Sequence, residues 1–517
     1  MAVLFFLIQT NTIFKFYVKF GNKAFTTAPA CVMIIAETRE VFKKEEMSVI
    51  DMVKFGTGGW RAIIGDEFTK ANIQLLTQSL SELMKMEGAD QIVIGFDRRF
   101  LSDTGAKWAA EVFAGNGIKV LFIPKNAPTP LIMYAVNTTG SKYGMAVTAS
   151  HNPAEYNGIK VFTEGGRDAT QQVTAKIEEI IAQSPDVKTV DFEKALSEGT
   201  VRYFEPFNDY IDSILGMLNI DAIREQHLNV LLDPMFGVSK TSLQTILLTA
   251  RCDVDIINDR HDTLFGGRLP SPSAETLTRL KEIVKEKGYD IGIATDGDAD
   301  RIGIIDNTGR FIHPNEILAL LYYYLLEYKG WRGDVVRNIA TTHTVDKIAK
   351  AYGQTCHEVP VGFKHISSKM EETDALIGGE SSGGLTIRGH IKGKDGIFAA
   401  GLLVEMMCVT KKGLSDILDE IYQKYGYAQM TERDYKFSKE KNAELMDLLF
   451  QQKKLPQFPE TVDHVSYMDG VKVYFENGGW IIARFSGTEP LIRVFCEMEN
   501  TQKAEEISDC MCQFLGL

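Results

Sequence analysis

The sequence predicts an α/β protein made of consecutive units, with a smaller α+β domain at the C-terminus. Three segments repeat the order apolar run, turn, amphipathic run, at 91–123, 228–257 and 333–353. This alternation is typical of strands and helices packed in layers. Residues 429–517 differ, because short apolar runs there are closed by one amphipathic segment. A chain of 517 residues, 44% of them hydrophobic, is long enough for about three or four domains.

The first unit starts at Gln91 and shows how each element is predicted. Strand, helix and strand are expected at 92–97, 102–117 and 118–123. Ser102 or Asp103 can cap that helix, and glycines at 115 and 117 can end it. Acidic, helical connectors follow, and we place a domain boundary near Val201.

The later units follow the same reasoning. The second unit predicts strand, helix and strand at 228–233, 239–250 and 252–257, and the third predicts a strand and a helix at 333–340 and 342–353. The C-terminal region predicts three strands and a closing helix, at 471–476, 479–485, 491–499 and 502–515. The sequence therefore predicts three α/β layers or domains and one small α+β domain.

The charge and the cysteines limit the possible partners and the compartment. A formal net charge of −13 argues against general binding to nucleic acid, because a polyanion needs an excess of Lys and Arg. Any anionic substrate must therefore meet a local cluster of cations. The seven cysteines are scattered and contain no C-x-x-C pair of the zinc or redox type. We expect a reduced, cytoplasmic compartment.

Residues 1–46 differ in composition from the rest of the chain. They begin apolar and aromatic, but polar residues at 9–11 interrupt the run well short of a bilayer-spanning length. Lys15 and Lys19 follow the apolar part, whereas a signal peptide carries its positive charge before it. We expect no membrane association. Because the stretch from Met47 reads as a natural protein start, 1–46 is expected to be an extension, either disordered or an artefact of an upstream start codon.

Three aspartates mark a candidate metal loop. Asp296, Asp298 and Asp300 lie two residues apart between two apolar runs. Alternate spacing in an extended loop points the three carboxylates to one side, where they repel one another unless a cation lies between them. A few hard oxygen ligands favour Mg²⁺. The alternatives are an acidic hairpin turn and an EF-hand, which is excluded because Arg301 and Asn307 stand where its glycine and glutamate are needed.

A second candidate site lies near the C-terminus. Ser486, Gly487 and Thr488 form a predicted turn between two strands, with Arg484 before it and Arg493 after it. Hydroxyl groups and free backbone N–H groups in such a turn can surround an anion, and guanidinium groups add charge-assisted, bidentate contacts. The pattern predicts a phosphate-binding loop. The alternative is an ordinary β-turn with exposed arginines.

A glycine-rich stretch, IGGESSGG, offers Glu380 and Ser382 among four glycines. Groups that bind sugar hydroxyls need close approach of the backbone, which glycine permits. A glycine-rich turn without a function is at least as good an interpretation of this stretch alone.

Ser150 and His151 end an apolar run and are stopped by Pro153. A hydrolase triad is a poor interpretation, because there is no G-x-S-x-G elbow and adjacent side chains in an extended chain point to opposite faces. A serine can instead carry a phosphoryl group, which needs nearby cations to hold the dianion. The predicted metal loop would supply one.

Five stretches resemble, in this order, the α-D-phosphohexomutase superfamily: KFGTGGWR, TASHNP, DGDADR, GESSGG and RFSGTEP. The resemblance covers nearly everything from Met47 to the C-terminus. The residues of the matching stretches are most similar to those of bacterial phosphoglucomutase/phosphomannomutase members. It implies three α/β domains with mixed sheets and a small C-terminal α+β domain around a central cleft. The expected bounds, after the extension at 1–46, are 47–202, 203–310, 311–428 and 429–517.

The activity that the resemblance implies is the interconversion of hexose 1-phosphate and hexose 6-phosphate in carbohydrate metabolism. It would proceed through a phosphoserine enzyme and a bisphosphorylated sugar, with glucose preferred and mannose second. Mg²⁺ would be the metal, glucose 1,6-bisphosphate the activator, and the protein a monomer or homodimer. The alternatives are a phosphoglucosamine mutase and a catalytically silent phosphosugar-binding protein.

The resemblance also implies roles in phosphoryl transfer, metal binding, sugar binding and phosphate binding. The residues are Ser150 as the phosphoserine; Ser150, Asp296, Asp298 and Asp300 as metal ligands; Arg61 and Arg301 beside the phosphoserine; Glu380 and Ser382 at sugar hydroxyls; and Arg484, Ser486, Gly487, Thr488 and Arg493 at the non-reacting phosphate.

The acid–base residues stay open between several candidates. Lys160 matches a lysine that the family places after the phosphoserine, while His390 and Lys394 compete for a second basic position. Because Gly384 stands where some members have a histidine, Lys394 is the preferred candidate. Each could equally serve as a cation for the phosphates. Six cations from all four domains would then converge on one cleft: Arg61, Lys160, Arg301, Lys394, Arg484 and Arg493.

Overall fold

The computed structural model describes residues 53–56, 58–485 and 491–517, together with four short strands near the N-terminus. These strands form two hairpins, β1 (Gln9–Thr10) with β2 (Ile13–Phe14) and β3 (Lys19–Phe20) with β4 (Lys23–Ala24). The rest of the predicted extension, and the predicted start at Met47, lie outside the described residues.

The first large sheet has eight strands in the order β12-β8-β7-β9-β10-β6-β5, with β11 beside β10. The four strands from β12 to β9 are parallel, and the others are antiparallel. The strands are β5 (Phe55–Gly56), β6 (Gly59–Ile63), β7 (Gln91–Phe96), β8 (Lys119–Phe122), β9 (Tyr143–Val147), β10 (Tyr156–Thr163), β11 (Arg167–Asp168) and β12 (Val201–Tyr203). The helices are α1 (Lys70–Met86), α2 (Ser102–Gly115), α3 (Thr129–Thr139), α4 (Gln171–Ile181) and α5 (Phe192–Ser197).

The predicted strand, helix and strand of the first unit are confirmed as β7, α2 and β8. The predicted cap is wrong, because Leu101 occupies the N-cap position and no side chain caps the helix. The hydroxyl of Ser102 donates instead to Asp97 Oδ1 at 2.7 Å. The helix does end at Gly115, and Gly117 follows it with a φ of +77°.

The second sheet has the order β14-β13-β15-β16-β17, parallel from β14 to β15 and antiparallel beyond. Its strands are β13 (Asn229–Asp233), β14 (Asp253–Ile256), β15 (Ile291–Thr295), β16 (Ile302–Asp306) and β17 (Phe311–Ile312). The helices of this region are α6 (Phe207–Met217), α7 (Ile220–Arg224), α8 (Lys240–Thr249), a 3₁₀ turn (Phe265–Gly267) and α9 (Thr278–Lys287).

The third sheet repeats this topology with four strands in the order β19-β18-β20-β21, of which only the last pair is antiparallel. Its strands are β18 (Val335–Asn338), β19 (Cys356–Val359), β20 (Ile377–Gly379) and β21 (Leu385–Ile387). Its helices are α10 (Pro314–Glu327), α11 (Thr344–Ala351), α12 (Phe363–Thr373), α13 (Gly396–Thr410) and α14 (Leu414–Tyr425).

The fourth sheet is fully antiparallel, with the order β22-β26-β25-β24-β23. Its strands are β22 (Gln429–Lys436), β23 (Val462–Ser466), β24 (Val471–Phe475), β25 (Trp480–Phe485) and β26 (Leu491–Met498). Two helices, α15 (Lys439–Met446) and α16 (Thr501–Leu515), and a π-helical turn (Asp447–Gln451) complete it. The predicted α+β character of the C-terminal region is confirmed.

The first three sheets share one feature that positions the site. In each, a parallel strand turns directly into an antiparallel neighbour, at the hairpins β9–β10, β15–β16 and β20–β21. Three loops therefore follow the carboxyl ends of parallel strands, where α/β proteins commonly bind ligands. These loops carry the predicted serine, metal and sugar residues.

The core lies directly behind these loops. Helix α13 is buried along most of its length, as expected for a helix that is apolar on all sides. At its first turn, Gly396 N donates to Ala299 O in the metal loop at 3.2 Å. Among the described residues, no helix combines the length and the apolar character needed to cross a membrane.

Candidate active site

One cavity of ≈ 400 Å³ is lined by residues from all four large sheets and their loops. It brings together the six cations that the sequence placed in one cleft, Arg61, Lys160, Arg301, Lys394, Arg484 and Arg493. Glu380 and Ser382 also line it. In a protein of net charge −13, this is a strongly cationic pocket.

The predicted metal loop joins β15 to β16 next to this cavity, which Arg301 from the loop helps to line. One carboxylate oxygen from each of Asp296, Asp298 and Asp300 lies within 4.8 Å of the others, and all three side chains are fully buried. The prediction of an extended loop is wrong, because the chain turns here and Ala299 has a φ of +64°. The carboxylates are therefore brought together by a turn and not by an extended backbone.

Two of the three carboxylates each keep one oxygen without a hydrogen bond. Lys160 Nζ lies 2.6 Å from Asp298 Oδ2 and 2.6 Å from Asp300 Oδ2. Thr129 Oγ1 also donates to Asp298 Oδ2, at 2.6 Å. Asp298 Oδ1 and Asp300 Oδ1 are buried and accept no hydrogen bond. Orphaned, hard oxygen donors of this kind fit Mg²⁺.

The shifted pKa values in the cluster also indicate that a cation would stabilise it. Burial, with the charges of Asp298 and Asp300, raises the pKa of Asp296 to about 8. Burial alone would lower the pKa of Lys160, but the carboxylates of Asp298 and Asp300 outweigh it and hold the pKa above its ordinary value. Lys160 therefore stays charged and, with Lys394 Nζ at 3.0 Å from Asp300 Oδ2, offsets part of the negative charge, while the raised pKa of Asp296 shows that this carboxyl group lacks a sufficient cation partner.

Ser150 lies between the first sheet and the metal loop. Its side chain is fully buried and its hydroxyl donates to Asp296 Oδ2 at 2.7 Å. A φ of +51° shows that the residue is not extended. The expectation that Ser150 and His151 point to opposite faces is wrong for this reason, since Ser150 Oγ lies 3.3 Å from His151 Nδ1.

His151 is nevertheless a poor partner for a hydrolase. Burial, followed by the charges of Arg301 and Arg61, lowers the pKa of His151 well below its ordinary value. The hydroxyl of Ser150 has its short hydrogen bond to Asp296 and not to the imidazole. The geometry favours a serine that faces a metal site.

Arg99, which the sequence analysis missed, holds the serine loop in place. Its Nη2 donates to the carbonyl oxygens of Ser150 and Asn152 at 2.7 and 2.6 Å. Its Nη1 donates to those of Pro153 and Tyr156 at 2.8 and 3.0 Å. One buried guanidinium therefore fixes four carbonyl groups. Its position in the loop that follows the carboxyl end of the buried strand β7 is a signal that could have identified it.

Two further arginines flank the serine. Arg61 Nη1 donates to Asn152 Oδ1 at 2.7 Å, and Arg301 N donates to Asp296 Oδ1 at 3.0 Å. The Nε atoms of both arginines are buried and lack a hydrogen-bond partner. Burial, and then the charge of Arg301, lowers the pKa of Arg61. An anion between them would relieve this repulsion.

The predicted sugar-binding loop joins β20 to β21, and its Gly383 O accepts from Ile302 N, just after the metal loop, at 3.2 Å. Ser382 Oγ donates to Glu380 Oε1 at 2.6 Å. Lys394 Nζ lies 3.0 Å from Asp300 Oδ2, so it connects the sugar side of the cavity to the metal side. Asp168, on β11, lines the same cavity and was not predicted.

The two competing basic residues occupy different places. Lys394 lines the cavity, whereas His390 does not. The side chain of His390 is only 1% exposed, and its Nε2 lies 2.6 Å from Asp395 Oδ2. The structure therefore does not bring His390 to the cleft, because Asp395 holds its imidazole in the packed interior beneath Lys394.

The remaining two cations come from the fourth sheet. Arg484 and Arg493 are directly opposite on the antiparallel strands β25 and β26. Arg484 Nε lies 3.0 Å from Asp469 Oδ2, while Arg493 Nε lies 3.6 Å from Asp434 Oδ2. Like charges directly opposite are unfavourable unless an anion binds between them.

The predicted residues Ser486, Gly487 and Thr488, in the turn that joins β25 to β26, lie outside the described residues. The structure therefore describes the two arginines of the predicted phosphate-binding loop and not its turn.

Comparison with known proteins gives matches to four family models in succession. They describe the α/β/α domains I, II and III and the C-terminal domain of phosphoglucomutase/phosphomannomutase, at residues 52–188, 208–309, 313–425 and 440–513. The phosphoglucomutase/phosphomannomutase of Thermococcus kodakarensis is 32% identical over 458 residues, which are 87% of this chain and 96% of that protein.

Two other relatives are similar over the same length. A protein of Methanobrevibacter smithii assigned as a phosphoglucosamine mutase is also 32% identical, over 88% of this chain and 96% of its own. The crystal structure of a Thermus thermophilus protein assigned as a phosphomannomutase has a TM-score of 0.79 and 27% identity, over 90% of this chain and 99% of that one. The chain belongs to the phosphoglucomutase/phosphomannomutase family, within the α-D-phosphohexomutase superfamily.

Proposed function

We propose that this phosphohexomutase interconverts hexose 1-phosphate and hexose 6-phosphate through a phosphoserine at Ser150. The observation that carries the proposal is the hydrogen bond of 2.7 Å from the buried Ser150 hydroxyl to Asp296, next to a cavity that is lined by six cations and by His151 and Asn152, the neighbours of Ser150. A serine that received a phosphoryl group here would lie beside a metal site and beside Arg61 and Arg301.

In this proposal, each phosphoryl transfer breaks the P–O bond to one oxygen and forms a P–O bond to another. The phosphoryl group passes from Ser150 to a sugar hydroxyl, and the other phosphate of the resulting bisphosphate then returns to Ser150. Lys394 is our candidate for moving the hydroxyl proton, because it lies between Asp300 and the sugar loop. Lys160, with its raised pKa, would remain a cation throughout.

The metal and the distal phosphate have separate sets of residues. Asp296, Asp298 and Asp300, with an oxygen of the phosphoserine, would hold Mg²⁺, which supplies charge neutralisation to the transferred phosphoryl group when bound. Arg484 and Arg493 would hold the phosphate that does not react, and this contact orients the sugar.

Intact mass tests the phosphoserine. Incubation with glucose 1,6-bisphosphate, the expected activator, should add one phosphate to the protein, and peptide mapping should place it on Ser150. Ser150→Ala should lose both the added mass and the turnover while it still binds hexose phosphate. Turnover at the wild-type level in Ser150→Ala would contradict the proposal, and phosphosugar binding without any added mass would favour a silent binding protein.

We propose glucose phosphates as the preferred substrates, with mannose phosphates second. Glu380 and Ser382 offer hydrogen bonds to hydroxyls that both sugars share, so the C2 difference should be distinguished weakly, by about tenfold to thirtyfold in kcat/KM. One observation favours phosphoglucosamine instead. Asp168 gives the cavity a second carboxylate beside Glu380, which could pair with an amino group at C2.

A substrate comparison decides between these sugars. The values of kcat/KM for the 1-phosphates of glucose, mannose and glucosamine are measured at one Mg²⁺ concentration in the wild type and in Asp168→Asn. We expect the order glucose, mannose, glucosamine in the wild type. A preference for glucosamine that disappears in Asp168→Asn would replace our assignment by the phosphoglucosamine mutase.

A further inference from the structure

A buried polar network lies directly beneath Lys394. Asp395 is 1% exposed, and its Oδ2 accepts from Tyr210 OH at 2.8 Å and lies 2.6 Å from His390 Nε2. Because a carboxylate oxygen only accepts, the imidazole donates through Nε2. Tyr210 comes from helix α6, so the network ties the Lys394 turn to a distant part of the chain.

The other oxygen of Asp395 fixes the start of α13. Asp395 Oδ1 accepts from Ile397 N at 2.8 Å and from Phe398 N at 2.9 Å, so this side chain is the N-cap of the helix. Asp395 N donates in turn to Leu385 O at 3.0 Å. The residue next to Lys394 is therefore held on three sides by groups that do not line the cavity.

On the cavity side, the space for Lys394 depends on a missing side chain. A Cβ atom on Gly384 would lie 2.2 Å from Lys394 Cδ and 3.4 Å from Glu380 Oε1. The aliphatic stem of Lys394 fills the volume that any other residue at 384 would occupy. Without that volume, the ammonium could not keep its distance of 3.0 Å from Asp300 Oδ2.

We propose that His390, Tyr210 and Gly384 are positioning residues that act on the reaction through Lys394. The His390–Asp395–Tyr210 network fixes the turn from behind, and Gly384 leaves the path to Asp300 open in front. This inference rests on the proposed role of Lys394 in moving a proton. His390, which the sequence offered as an alternative to Lys394, thus becomes its support.

The test uses substitutions that remove one contact each. Tyr210→Phe removes a single hydroxyl, and His390→Leu removes the imidazole donor, whereas His390→Gln keeps an N–H donor at about the same reach. We expect Tyr210→Phe to lower kcat with glucose 1-phosphate by about threefold to tenfold, the equivalent of one lost hydrogen bond, with KM nearly unchanged. His390→Leu should lose more, and His390→Gln should recover part of it.

Tyr134→Phe is the matched control. The ring of Tyr134 packs on that of Tyr210 at 5.7 Å, but its hydroxyl donates to Asp209 O and not to the network. This variant should therefore keep the wild-type kcat. If it lost as much as Tyr210→Phe, general packing and not the network would explain the loss, and the inference would be overturned.

Double variants separate positioning from a merely structural role. In a Lys394→Ala background, Tyr210→Phe and Gly384→Ala should cause no further loss of kcat, because the group that they position is gone. Full additive losses in that background would overturn the inference. Gly384 has no left-handed φ, so Gly384→Ala changes the space available to Lys394 and not the allowed backbone.

A crystal structure of Tyr210→Phe gives a readout that does not depend on turnover. Lys394 Nζ should lie farther from Asp300 Oδ2 than the 3.0 Å of the wild type, and an unchanged distance would contradict the inference. If Lys394→Ala itself turned over normally, the proposed role of Lys394 would fail, while this distance would still decide whether the network positions the ammonium.

Discussion

The cleft holds its cations in two different ways. At its floor, formed by Ser150, Lys160 and the three metal-loop aspartates, Lys160 is 4% exposed and lies 2.6 Å from two carboxylate oxygens. At its rim, formed by Arg484 and Arg493, the side chain of Arg493 is 45% exposed and its Nε lies 3.6 Å from a single carboxylate.

This difference separates two tasks: the floor fixes the geometry of the reacting groups, and the rim attracts an anion. Charges at the floor are buried and lie in direct contact with one another, so they hold a fixed arrangement in which the loss of one member leaves another unpaired. The two guanidinium groups at the rim are directly opposite each other on β25 and β26, and each has one carboxylate near its Nε, so they can attract an anionic ligand. Changes at the floor should therefore act mainly on kcat, and changes at the rim mainly on KM.

The largest effect is expected from Asp298→Asn at the floor. The substitution removes one carboxylate from the metal cluster and one partner from Lys160, so kcat/KM should fall by about a hundredfold or more and the Mg²⁺ requirement should rise. A Mg²⁺ titration of turnover checks this. Asp253→Asn, on the exposed face of β14, is the control, and an unchanged Mg²⁺ dependence in Asp298→Asn would refute the metal assignment.

The ion pair between Lys472, which lies in the same sheet as the rim residues, and Glu358 is held by close contacts, as the floor is. Lys472 is fully buried in β24, and its Nζ lies 2.9 Å from Glu358 Oε2 in the third sheet. Burial raises the pKa of Glu358, but Arg337 and then Lys472 outweigh it and lower the pKa to about 2, against 4.5 for the ordinary group. The contribution of Glu358 to stability is therefore present above pH 4.5 and is lost as the pH falls toward 2. Burial, and then the charge of Arg337, lowers the pKa of Lys472 to about 7, so the part that depends on Lys472 weakens above pH 7 while the part that depends on Arg337 remains.

Urea unfolding as a function of pH checks this sign. At pH 7, Glu358→Gln should be less stable than the wild type by up to about 3 kcal/mol, and the difference should shrink below pH 4.5. Glu282→Gln, on the surface of α9, should show no such difference at either pH. A gap that stayed constant down to pH 3 would contradict the assignment of Glu358 as the titrating group.

The sequence predicted the elements of the floor well because they depend on local patterns. Strands β9 and β15 follow from apolar runs, and Ser150 and the acidic triplet come soon after those runs in the chain. The local backbone was not predictable in the same way. A Cβ atom at Gly297 would lie 2.7 Å from Ser150 O, so the glycine allows the metal loop to approach the serine loop. The chain turns at this approach, where an extended backbone was expected.

Residues whose role depends on distant contacts were missed for a related reason. Arg99 contacts carbonyl groups more than fifty positions away in the chain, and Asp168 reaches the cavity only through the short strand β11. The resemblance left His390 and Lys394 as competitors for one basic position near the sugar loop, yet the hydrogen bond of His390 to Asp395 turns its imidazole inward. Spacing alone cannot distinguish a lining residue from a supporting one.

At the rim, Arg493→Ala should raise KM for glucose 1-phosphate by about tenfold and lower kcat by less. The contact to a distal phosphate serves the ground state and the transition state alike, and part of the kcat loss follows from poorer orientation of the sugar. Steady-state kinetics check the split. Arg433→Ala, whose guanidinium pairs with Glu505 and Asp509 on the neighbouring helix α16, is the control. A loss confined to kcat would contradict this prediction, because it would show that Arg493 acts in the transition state, as the floor residues are expected to.

The smallest effect is expected from Thr129, which joins helix α3 to the floor. Its hydroxyl donates to Asp298 Oδ2 at 2.6 Å and its N–H to Asp298 O at 2.9 Å. Thr129→Val removes only the hydroxyl bond, so the Mg²⁺ concentration for half-maximal turnover should rise by about threefold to tenfold, while KM for the sugar phosphate stays nearly constant. Thr129→Ser keeps the hydroxyl and should behave as the wild type. If Thr129→Val raised the KM for sugar phosphate instead, the floor and the rim would be coupled, and the separation between them would have to be abandoned.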